Sequence, residues 1–333
     1  MRDCKDYSLK AHNTFGIDAK CSRFLEYESV DEAMEVAKIL RETATPYIII
    51  GGGSNLLLTK DFEGIVVHSA IKGVAFDGNQ MCCGSGEVWD DVVALSIQSG
   101  LYGMENLSLI PGDVGASAVQ NIGAYGAEAK DLIAEVEAVE IASGQLMTLR
   151  GEDCGYGYRE SKFKHEWKNK YLITHVSYQL STTFEPRLDY GNIRAELERK
   201  GIAHPTAQQV RDTIIEIREA KLPDPKVMGN AGSFFMNPIV NREKYEALVK
   251  QYEGMPHYEV DADHVKIPAG WMIDQCGWKG KSLGRAGVHD KQALVLVNRG
   301  GATGAEIVTL CETIRKDVKV KFGIEIHPEV NII

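Results

Sequence analysis

The sequence has no long uninterrupted apolar run. Apolar stretches such as residues 293–297 are far shorter than the roughly 20 residues that cross a bilayer as a helix. The start of the chain, Met1 to Tyr7, carries charged side chains and lacks the apolar core of a signal peptide. We therefore expect a protein of the cytoplasm with no membrane partner.

Basic residues are outnumbered in this chain. The 333 residues include 37 Lys and Arg against 47 Asp and Glu, so the formal net charge is -10. Proteins that bind nucleic acid usually carry a basic surface, and we expect no nucleic-acid partner here. If the ligand is a polyanion, the cations that bind it must be concentrated locally.

Metal-ligating and disulfide patterns are also missing. The seven cysteines form no CxxC pair, and the nine histidines show no HExxH or similar spacing. We expect reduced thiols and no metal site. The chain also lacks the GxxxxGK[ST] motif of P-loop nucleotide-binding proteins and a GxGxxG motif followed by a helix, which disfavours an ordinary dinucleotide fold.

Glycine, in contrast, is concentrated in two segments. The longer one, residues 106–126, contains Gly112, Gly115, Gly123 and Gly126, and the shorter one, residues 51–55, follows the apolar strand 47–50. Glycine lets the backbone approach a ligand closely, and successive N–H groups in such turns bind anions. Each segment alone fits a structural turn equally well. Two such segments in one chain suit a long ligand with two phosphates.

Together these segments resemble the FAD-binding signature of the UDP-N-acetylenolpyruvoylglucosamine reductase family. The flavin domain of that family is similar to the domain of p-cresol methylhydroxylase and vanillyl-alcohol oxidase. The chain has Ala118 where the family usually has proline. The resemblance implies non-covalent FAD held by Gly51, Gly52, Gly53, Ser54, Asn55, Ile110, Pro111, Gly112, Gly115, Ser117, Gln120, Asn121, Gly123, Ala124, Tyr125 and Gly126.

Three short motifs outside the glycine segments resemble the catalytic motifs of the same family. They are Gly-Tyr-Arg159-Glu, Gly-Ser233-Phe-Phe-Met-Asn-Pro and His-Pro-Glu329-Val. Taken singly, the three residues fit a surface ion pair, a turn hydroxyl and a solvated carboxylate. Taken together and in this order, they imply that Arg159, Ser233 and Glu329 are catalytic, with Ser233 as the proton donor.

The resemblance also implies a set of substrate-binding residues. Tyr190 lies in an Asp-Tyr-Gly segment that is similar to the mobile tyrosine loop of the family's type I branch. Arg218 and Lys221 are three residues apart near the end of a predicted helix, so they can share one side of it. The complete predicted set is Tyr190, Arg218, Lys221, Asn237 and Gln292.

The implied reaction is the reduction of UDP-N-acetylglucosamine enolpyruvate by NADPH through FAD, in the synthesis of peptidoglycan precursors. A cationic fork such as Arg159 matches a carboxylate and stabilises the negative charge that develops on it. Two alternatives stay open at this point. One is a flavin oxidase of the vanillyl-alcohol oxidase type, and the other is a non-enzymatic regulator that binds a flavin or a nucleotide sugar.

The predicted fold is α/β (α+β), with a two-part FAD-binding region and a smaller α+β substrate-binding domain. Residues 1–70 and the tail 323–333 form the first flavin part, residues 71–215 the second, and residues 216–322 the substrate domain. Periodicity and capping predict helices at 29–42, 86–100, 208–220 and from Thr303 to Gly323. Alternation predicts strands at 47–50, 65–67, 136–141, 146–149, 171–180 and 293–298. We expect residues 181–205 to be irregular, the end of the chain to pair in a sheet, and the protein to be a monomer.

Overall fold

A computed structural model describes residues 1–333. The strands, in chain order, are β1 (Arg2–Ser8), β2 (Lys20–Tyr27), β3 (Tyr47–Ile50), β4 (Leu56–Leu57), β5 (Phe62–Ser69), β6 (Val74–Asp77), β7 (Gln80–Gly84), β8 (Gly123–Ala124), β9 (Ala127–Glu128), β10 (Ile133–Glu140), β11 (Leu146–Arg150), β12 (Tyr171–Gln179), β13 (Ile239–Asn241), β14 (Tyr258–Glu259), β15 (His264–Lys266), β16 (Ser282–Leu283), β17 (Ala286–Val288), β18 (Leu296–Asn298) and β19 (Asn331–Ile332). The helices are α1 (Val30–Glu42), α2 (Trp89–Gln98), α3 (Val114–Gln120), α4 (Ile193–Arg199), α5 (Ala207–Lys221), α6 (Arg242–Val249), α7 (Ala269–Gln275) and α8 (Gly304–Phe322).

The chain divides into two compact units. The first consists of residues 1–7, 21–52 and 62–220, and the second of residues 8–20, 53–61 and 221–333. The last boundary predicted from the sequence, at 215/216, falls inside α5, whose end marks the observed division. The predicted three-part organisation of the chain stays a prediction.

The first unit contains a four-stranded sheet with the order β1-β2-β5-β3, in which β2 and β3 both run parallel to β5. Helix α1 begins at Ser29, whose hydroxyl accepts a hydrogen bond from the N–H of Glu32 at 3.2 Å. The buried face of α1 is the predicted one: Ala33, Val36, Ala37 and Leu40. These side chains share a core with strand residues of both sheets of this unit.

A second sheet of the first unit has the order β11-β10-β12-β7-β6 and is antiparallel throughout. It confirms the predicted hairpin of β10 and β11 and the long strand β12. Leu172, Thr174, Val176 and Tyr178, which alternate along β12, are fully buried. Helix α2 packs into the same core through Trp89, and Gly100 follows it with φ of +72°.

The second unit is built around α8. Thr303 and Glu306 cap its start reciprocally, and Gly323 ends it with φ of +62°, as the sequence predicts. The predicted apolar face, Ile307, Leu310, Cys311, Ile314 and Val318, is buried. Three small sheets complete the unit: β13-β15-β14, β16-β17-β18 and the parallel pair β19-β4. The pairing of β19 confirms the expectation that the chain end joins a sheet.

Two helices lie where the sequence predicts irregular chain. Helix α3 occupies the middle of the long glycine segment, and α4 lies within residues 181–205. Helix α3 is built mainly from small residues, so it lacks the apolar stripe that makes a helix visible in a sequence. Helix α4 buries only Ile193 and Leu197, which is too short a pattern to stand out.

All seven cysteines are free thiols in the structure. Burial raises the pKa of Cys83 and Cys311 to about 12 and the pKa of Cys21 to about 11. Thiols with so high a pKa are poor nucleophiles at neutral pH. None of the helices combines the length and the apolar composition of a membrane-spanning segment.

Candidate active site

Gly51 and Gly52, the first two residues of the short glycine segment, lie against the start of α3 within the first unit. A Cβ atom built on Gly51 would stand 2.9 Å from Cβ of Ala116, and one built on Gly52 would stand 3.1 Å from Oδ1 of Asp113. Any larger residue at position 51 must therefore push the two segments apart. The two glycine segments that the sequence singled out meet here in the structure.

The long glycine segment reaches α3 through Gly112, whose φ of +122° favours glycine. Gly115 lies against Ser85, since a built Cβ would stand 3.0 Å from Cβ of Ser85. The side chain of Ser117 is buried and bonds to the hydroxyl of Tyr178 at 2.8 Å. The conformation of this segment is therefore held by contacts with β7 and β12 and their flanking residues.

The end of the long glycine segment forms a tight hairpin of β8 and β9. Tyr125 and Gly126 occupy its turn with φ of +48° and +78°, the signs required by a type I′ turn. Asn121 fixes the entry to this hairpin because its amide donates to the carbonyl of Gly157 at 2.6 Å. Among the other predicted FAD ligands of the segment, Pro111 is exposed, and three are half-buried: Ile110, Gln120 and Ala124.

Arg159 lies beside the same hairpin. Its guanidinium donates to the carbonyl of Gly123 and, at 3.5 Å, to the carbonyl of Asn121. Its backbone has φ of +58°, which is unusual for a residue with a side chain. The carbonyl of Arg159 accepts from Nζ of Lys164 at 2.6 Å, and this bond helps to hold the strained turn. The structure thus brings Arg159 to the predicted flavin segment.

An ion pair joins α5 to α2, and its carboxylate also holds the start of the long glycine segment. Arg211 donates to both carboxylate oxygens of Asp90, at 2.6 Å and 2.9 Å. Asp90 also accepts from the N–H of Leu109, whose φ of +57° is strained. Burial alone raises the pKa of Asp90, but the hydrogen bonds from Arg211 and Leu109 lower it overall. Removing one member of such a pair would leave a buried charge without its partner.

Arg218 lies two turns after Arg211 on α5, and its guanidinium is largely buried. Burial lowers its pKa, while Tyr125 and Asp90 act in the opposite direction. The Nε atom of Arg218 has no hydrogen-bond partner in the protein. The structure therefore places a cation with unused donor capacity next to the hairpin of β8 and β9, where an anionic ligand is predicted.

The rest of the short glycine segment, residues 53–55, belongs to the second unit and makes contacts with other segments of the chain. Gly53 has φ of +66°, and a built Cβ would stand 1.9 Å from the carbonyl oxygen of His12. Its own carbonyl accepts from the N–H of Thr14 at 3.1 Å. The carbonyl of Asn55 accepts a hydrogen bond from the N–H of Asn331 at 3.1 Å. Ser54, the preceding residue, is half-buried. Glycine at position 53 is thus required by chain packing, in line with the structural turn that the sequence left open for this segment.

Ser233 and Glu329 lie on neighbouring segments of the second unit. The carbonyl of Phe234 accepts the N–H of Glu329 at 2.8 Å, and Phe235 pairs with Pro328. Both phenylalanine rings are buried, whereas Ser233 is exposed.

Two predicted substrate residues converge at the start of α7 in the second unit. Oδ1 of Asn237 accepts the N–H of Ala269 at 2.9 Å, and Oε1 of Gln292 lies 3.1 Å from a Cβ built on Gly270. Lys221 is exposed at the end of α5. The amide donors of Asn237 and Gln292 have no partner among the protein hydrogen bonds described for these residues.

Two family models match this chain. Residues 22–150 match the model of an FAD binding domain, and residues 224–333 match the C-terminal domain of UDP-N-acetylenolpyruvoylglucosamine reductase. The reductase of Bacteroides fragilis (strain YCH46) is 58% identical, over 98% of this chain and 99% of that protein.

The chain belongs to the UDP-N-acetylenolpyruvoylglucosamine reductase family.

A second relative, the reductase of Flavobacterium johnsoniae, is 45% identical over 98% of both chains. A crystal structure of the reductase from Thermus caldophilus covers 99% of this chain with a TM-score of 0.68 and 22% sequence identity. That likeness confirms the predicted fold, an FAD-binding region followed by a smaller α+β domain. The family predicted from the glycine segments and the three short motifs is therefore confirmed.

The residues of the first unit fit an FAD pyrophosphate in all but one respect. Gly51 and Gly52 meet the start of α3, and positive φ angles at Gly112 and Gly126 expose backbone at both ends of the long segment. The exception is Asp113, whose carboxylate lies against Gly52. A carboxylate repels a phosphate, so a pyrophosphate bound at that point would require a compensating charge nearby.

Sequence reasoning missed three residues that shape the site: Asp90, Arg211 and His68. None belongs to a recognisable motif, because each acts through a partner far away in the sequence. Only a weak signal existed for Arg211: it lies seven residues before Arg218, which places both on one face of α5.

The end of the chain offers a direct test of how β19 contributes to stability. Its main chain bonds to Asn55, Leu57 and Thr59, and the carbonyl of Ile333 accepts both the N–H and the hydroxyl of Thr59. At about 1 kcal/mol for each bond, deletion of residues 331–333 should lower the free energy of unfolding by roughly 2–4 kcal/mol. Urea unfolding at equilibrium measures the change. Thr59→Val is the control, since it removes only the hydroxyl bond and should cost about 1 kcal/mol. A truncated protein as stable as the parent would refute this role.

Proposed function

We propose that this protein reduces UDP-N-acetylglucosamine enolpyruvate to UDP-N-acetylmuramate, with NADPH as the hydride source and FAD as the bound cofactor. The supporting observation is the 58% identity over nearly the whole chain to a relative named as this reductase. The glycine segments would hold FAD, which when bound would supply the hydride-transfer chemistry between NADPH and the methylene carbon of the enolpyruvyl group. The reaction would serve peptidoglycan synthesis in the cytoplasm and thereby cell division. The monomeric state stays a prediction.

Arg159 is proposed to bind the substrate carboxylate. Its planar guanidinium can donate two parallel hydrogen bonds and stabilise the charge that enters the carboxylate during hydride addition. The bonds to the carbonyls of Gly123 and Asn121 orient this guanidinium in advance. An arginine held in place needs little reorganisation when the charge develops.

Ser233 is proposed to protonate the substrate carbon, and Glu329, when protonated, to donate to the same enolate. The backbone bond between Glu329 and Phe234 holds both residues on adjoining segments. Ser233 is exposed, so its hydroxyl is accessible to a bound substrate. Proton transfer by a positioned donor typically contributes about 10²–10⁴-fold to a rate.

The diphosphate and sugar are proposed to bind through the predicted substrate residues. Arg218 and Lys221 supply positive charge, and Asn237 and Gln292 supply amide donors that the protein does not use. Tyr190 is proposed to close over the nucleotide. Arg218 and Lys221 would supply the local cations that an overall acidic protein needs for a polyanionic ligand.

Anaerobic mixing of the purified protein with NADPH, and then with the enolpyruvyl substrate, tests the proposed function. The flavin absorbance should bleach in the first step and return in the second. A flavin that NADPH reduces but that this substrate does not reoxidise would refute the proposed substrate. A protein without FAD would refute the proposal as a whole.

Tyr190 provides a test of the proposed closing loop. It is 42% exposed, and its Cβ lies 3.2 Å from a Cβ built on Gly126, so the loop rests on the turn of the β8–β9 hairpin. Tyr190→Phe removes one hydroxyl and should weaken binding of the sugar nucleotide about 2–10-fold. Reduction of the flavin by NADPH should be unchanged. The measurement is the substrate dependence of flavin reoxidation in a stopped-flow instrument.

The control for this loop is Tyr102→Phe, at a half-buried tyrosine that packs against Phe184. This variant should behave like the parent in both half-reactions. Equal losses in both half-reactions of Tyr190→Phe would count against the closing loop and point to a general structural defect.

A further inference from the structure

A carboxylate occupies the place where the two glycine segments meet. Oδ1 of Asp113 lies 3.1 Å from a Cβ built on Gly52, and its Oδ2 lies 3.6 Å from one built on Gly51. These are the backbone positions proposed to receive the FAD pyrophosphate. An ionised Asp113 would repel this group, since like charges at short range oppose binding.

One histidine links this carboxylate to a second one. Nε2 of His68 lies 3.5 Å from Oδ2 of Asp113, and Nδ1 of His68 lies 2.9 Å from Oε2 of Glu26. All three side chains are about 15% exposed, so water screens them little. In the sheet, His68 pairs with Glu26 of β2 on one side and with Ile50 of β3 on the other. Ile50 is the residue directly before Gly51. The sheet register therefore fixes the imidazole below the glycine loop.

A second cation lies beside Glu26: Arg2, on β1, is 3.6 Å from its Oε1. The ring of Phe24 stacks near the imidazole of His68 with a centroid distance of 6.3 Å. Glu26 thus has two cationic neighbours, Arg2 and His68. Asp113 forms its observed ion pair with His68.

We propose that His68, held by Glu26, is an imidazolium that neutralises Asp113 and thereby lets the glycine segments accept the anionic pyrophosphate. His68 is then a positioning residue that acts through Asp113. This inference rests on the proposed function in one respect, namely that FAD binds at these segments. It adds that the affinity for FAD depends on the charge of a single histidine.

The protonation of His68 follows from the same contacts. Burial lowers its pKa, but the hydrogen bonds and charges of Asp113 and Glu26 outweigh burial, so the pKa lies above the ordinary value of 6.5. The imidazolium is therefore present below this raised pKa and is lost as the pH rises through it. The pyrophosphate of FAD keeps its charge throughout this range. A pH dependence of FAD binding in this range would therefore arise from a titrating group of the protein and not from FAD.

The test is the dissociation constant of FAD as a function of pH. The holoenzyme is diluted at pH values between about 6 and 9, which bracket ordinary and raised histidine pKa values, and released flavin is measured by its fluorescence. The dissociation constant of the parent should rise about 10-fold across this range, which corresponds to about 1.4 kcal/mol. His68→Gln, which is neutral throughout, should bind weakly at every pH. Retention of the parent's pH profile in this variant would overturn the proposal.

Asp113→Asn provides a second, independent arm. It removes the repelling charge, so FAD should bind at the upper end of the pH range at least as tightly as in the parent, with a flattened profile. In the double variant His68→Gln with Asp113→Asn, the affinity lost in His68→Gln should return. Weaker binding by Asp113→Asn at every pH would contradict the proposal, because Asp113 would then support the flavin directly.

A matched control is His264→Gln. His264 also pairs with an aspartate, Asp261, at 2.9 Å, but this pair is about half exposed and belongs to the second unit. Its FAD profile should equal that of the parent. The outcomes separate the two proposals: a protein that binds no FAD at any pH refutes the proposed function, whereas tight, pH-independent binding refutes only the role of His68.

Discussion

Replacement of Ser233 with alanine is expected to leave the reduction of the flavin by NADPH at the parent rate. Reoxidation by the enolpyruvyl substrate should slow by about 10²–10⁴-fold, the usual contribution of a positioned proton donor. The two half-reactions differ because only the second one adds a proton to carbon. Stopped-flow flavin absorbance, recorded for each half-reaction separately, measures both rates.

The structure makes this a clean substitution. Ser233 is exposed, so the loss of its hydroxyl removes no buried hydrogen bond. Its neighbours are fixed by main-chain bonds, from the N–H of Phe234 to Leu294 and from the N–H of Glu329 to Phe234. Gly232 sets the turn with φ of +66° and is unaffected by the change. A slow variant should therefore be fully folded and should hold its flavin.

Two further variants complete the Ser233 experiment. Ser233→Cys keeps a donor and should recover part of the lost rate. Ser282→Ala changes another exposed serine of the second unit and should behave like the parent. If Ser233→Ala is reoxidised as fast as the parent, Ser233 is only a turn residue and another group donates the proton.

Replacement of Arg159 with lysine should slow reoxidation by about 10²–10³-fold, the typical cost of losing one donor to a developing negative charge. Lysine keeps the positive charge but cannot donate the two parallel bonds of a guanidinium. It also cannot repeat the paired contacts with the carbonyls of Gly123 and Asn121. Flavin reduction by NADPH should change much less, and single-turnover kinetics of each step gives the comparison.

Gly123→Ala displaces Arg159 without changing its chemistry. A Cβ at position 123 would stand 2.7 Å from Nη1 of Arg159 and 2.9 Å from the carbonyl oxygen of Ala127. The guanidinium must move, so this variant should lose reoxidation rate in the same direction as Arg159→Lys. The matched control is Gly157→Ala, where a Cβ makes an ordinary contact of 3.5 Å with Glu160. Normal reoxidation in both Arg159→Lys and Gly123→Ala would exclude the proposed carboxylate contact.

Local signals in the sequence correctly predicted four of the eight helices and the longer strands β5, β10 and β12. Helices α1 and α8 were visible because a capping residue, an apolar stripe with helical spacing and a stop signal all lie within one short segment. The family was predictable for a similar reason. Its motifs are runs of adjacent residues, such as the glycine segments and the stretch around Ser233.

The environment of each site residue was not predictable in this way. Ser233 is exposed although the two residues that follow it, Phe234 and Phe235, are both buried, and no periodic pattern in the sequence marks this difference. The sequence likewise gave no indication that Asp113 meets Gly52 or that His68 lies beneath both. These contacts depend on the register of β5 between β2 and β3.

By itself, then, the sequence determined the family, the main helices and strands, and the candidate residues, since these are written in short contiguous patterns. Only the tertiary structure decided which of these residues meet, which are buried and which charges oppose each other. Such properties arise from packing between segments that are distant along the chain. For example, the effect of the Asp113 charge on an anionic ligand depends on His68, which only the fold places beside it.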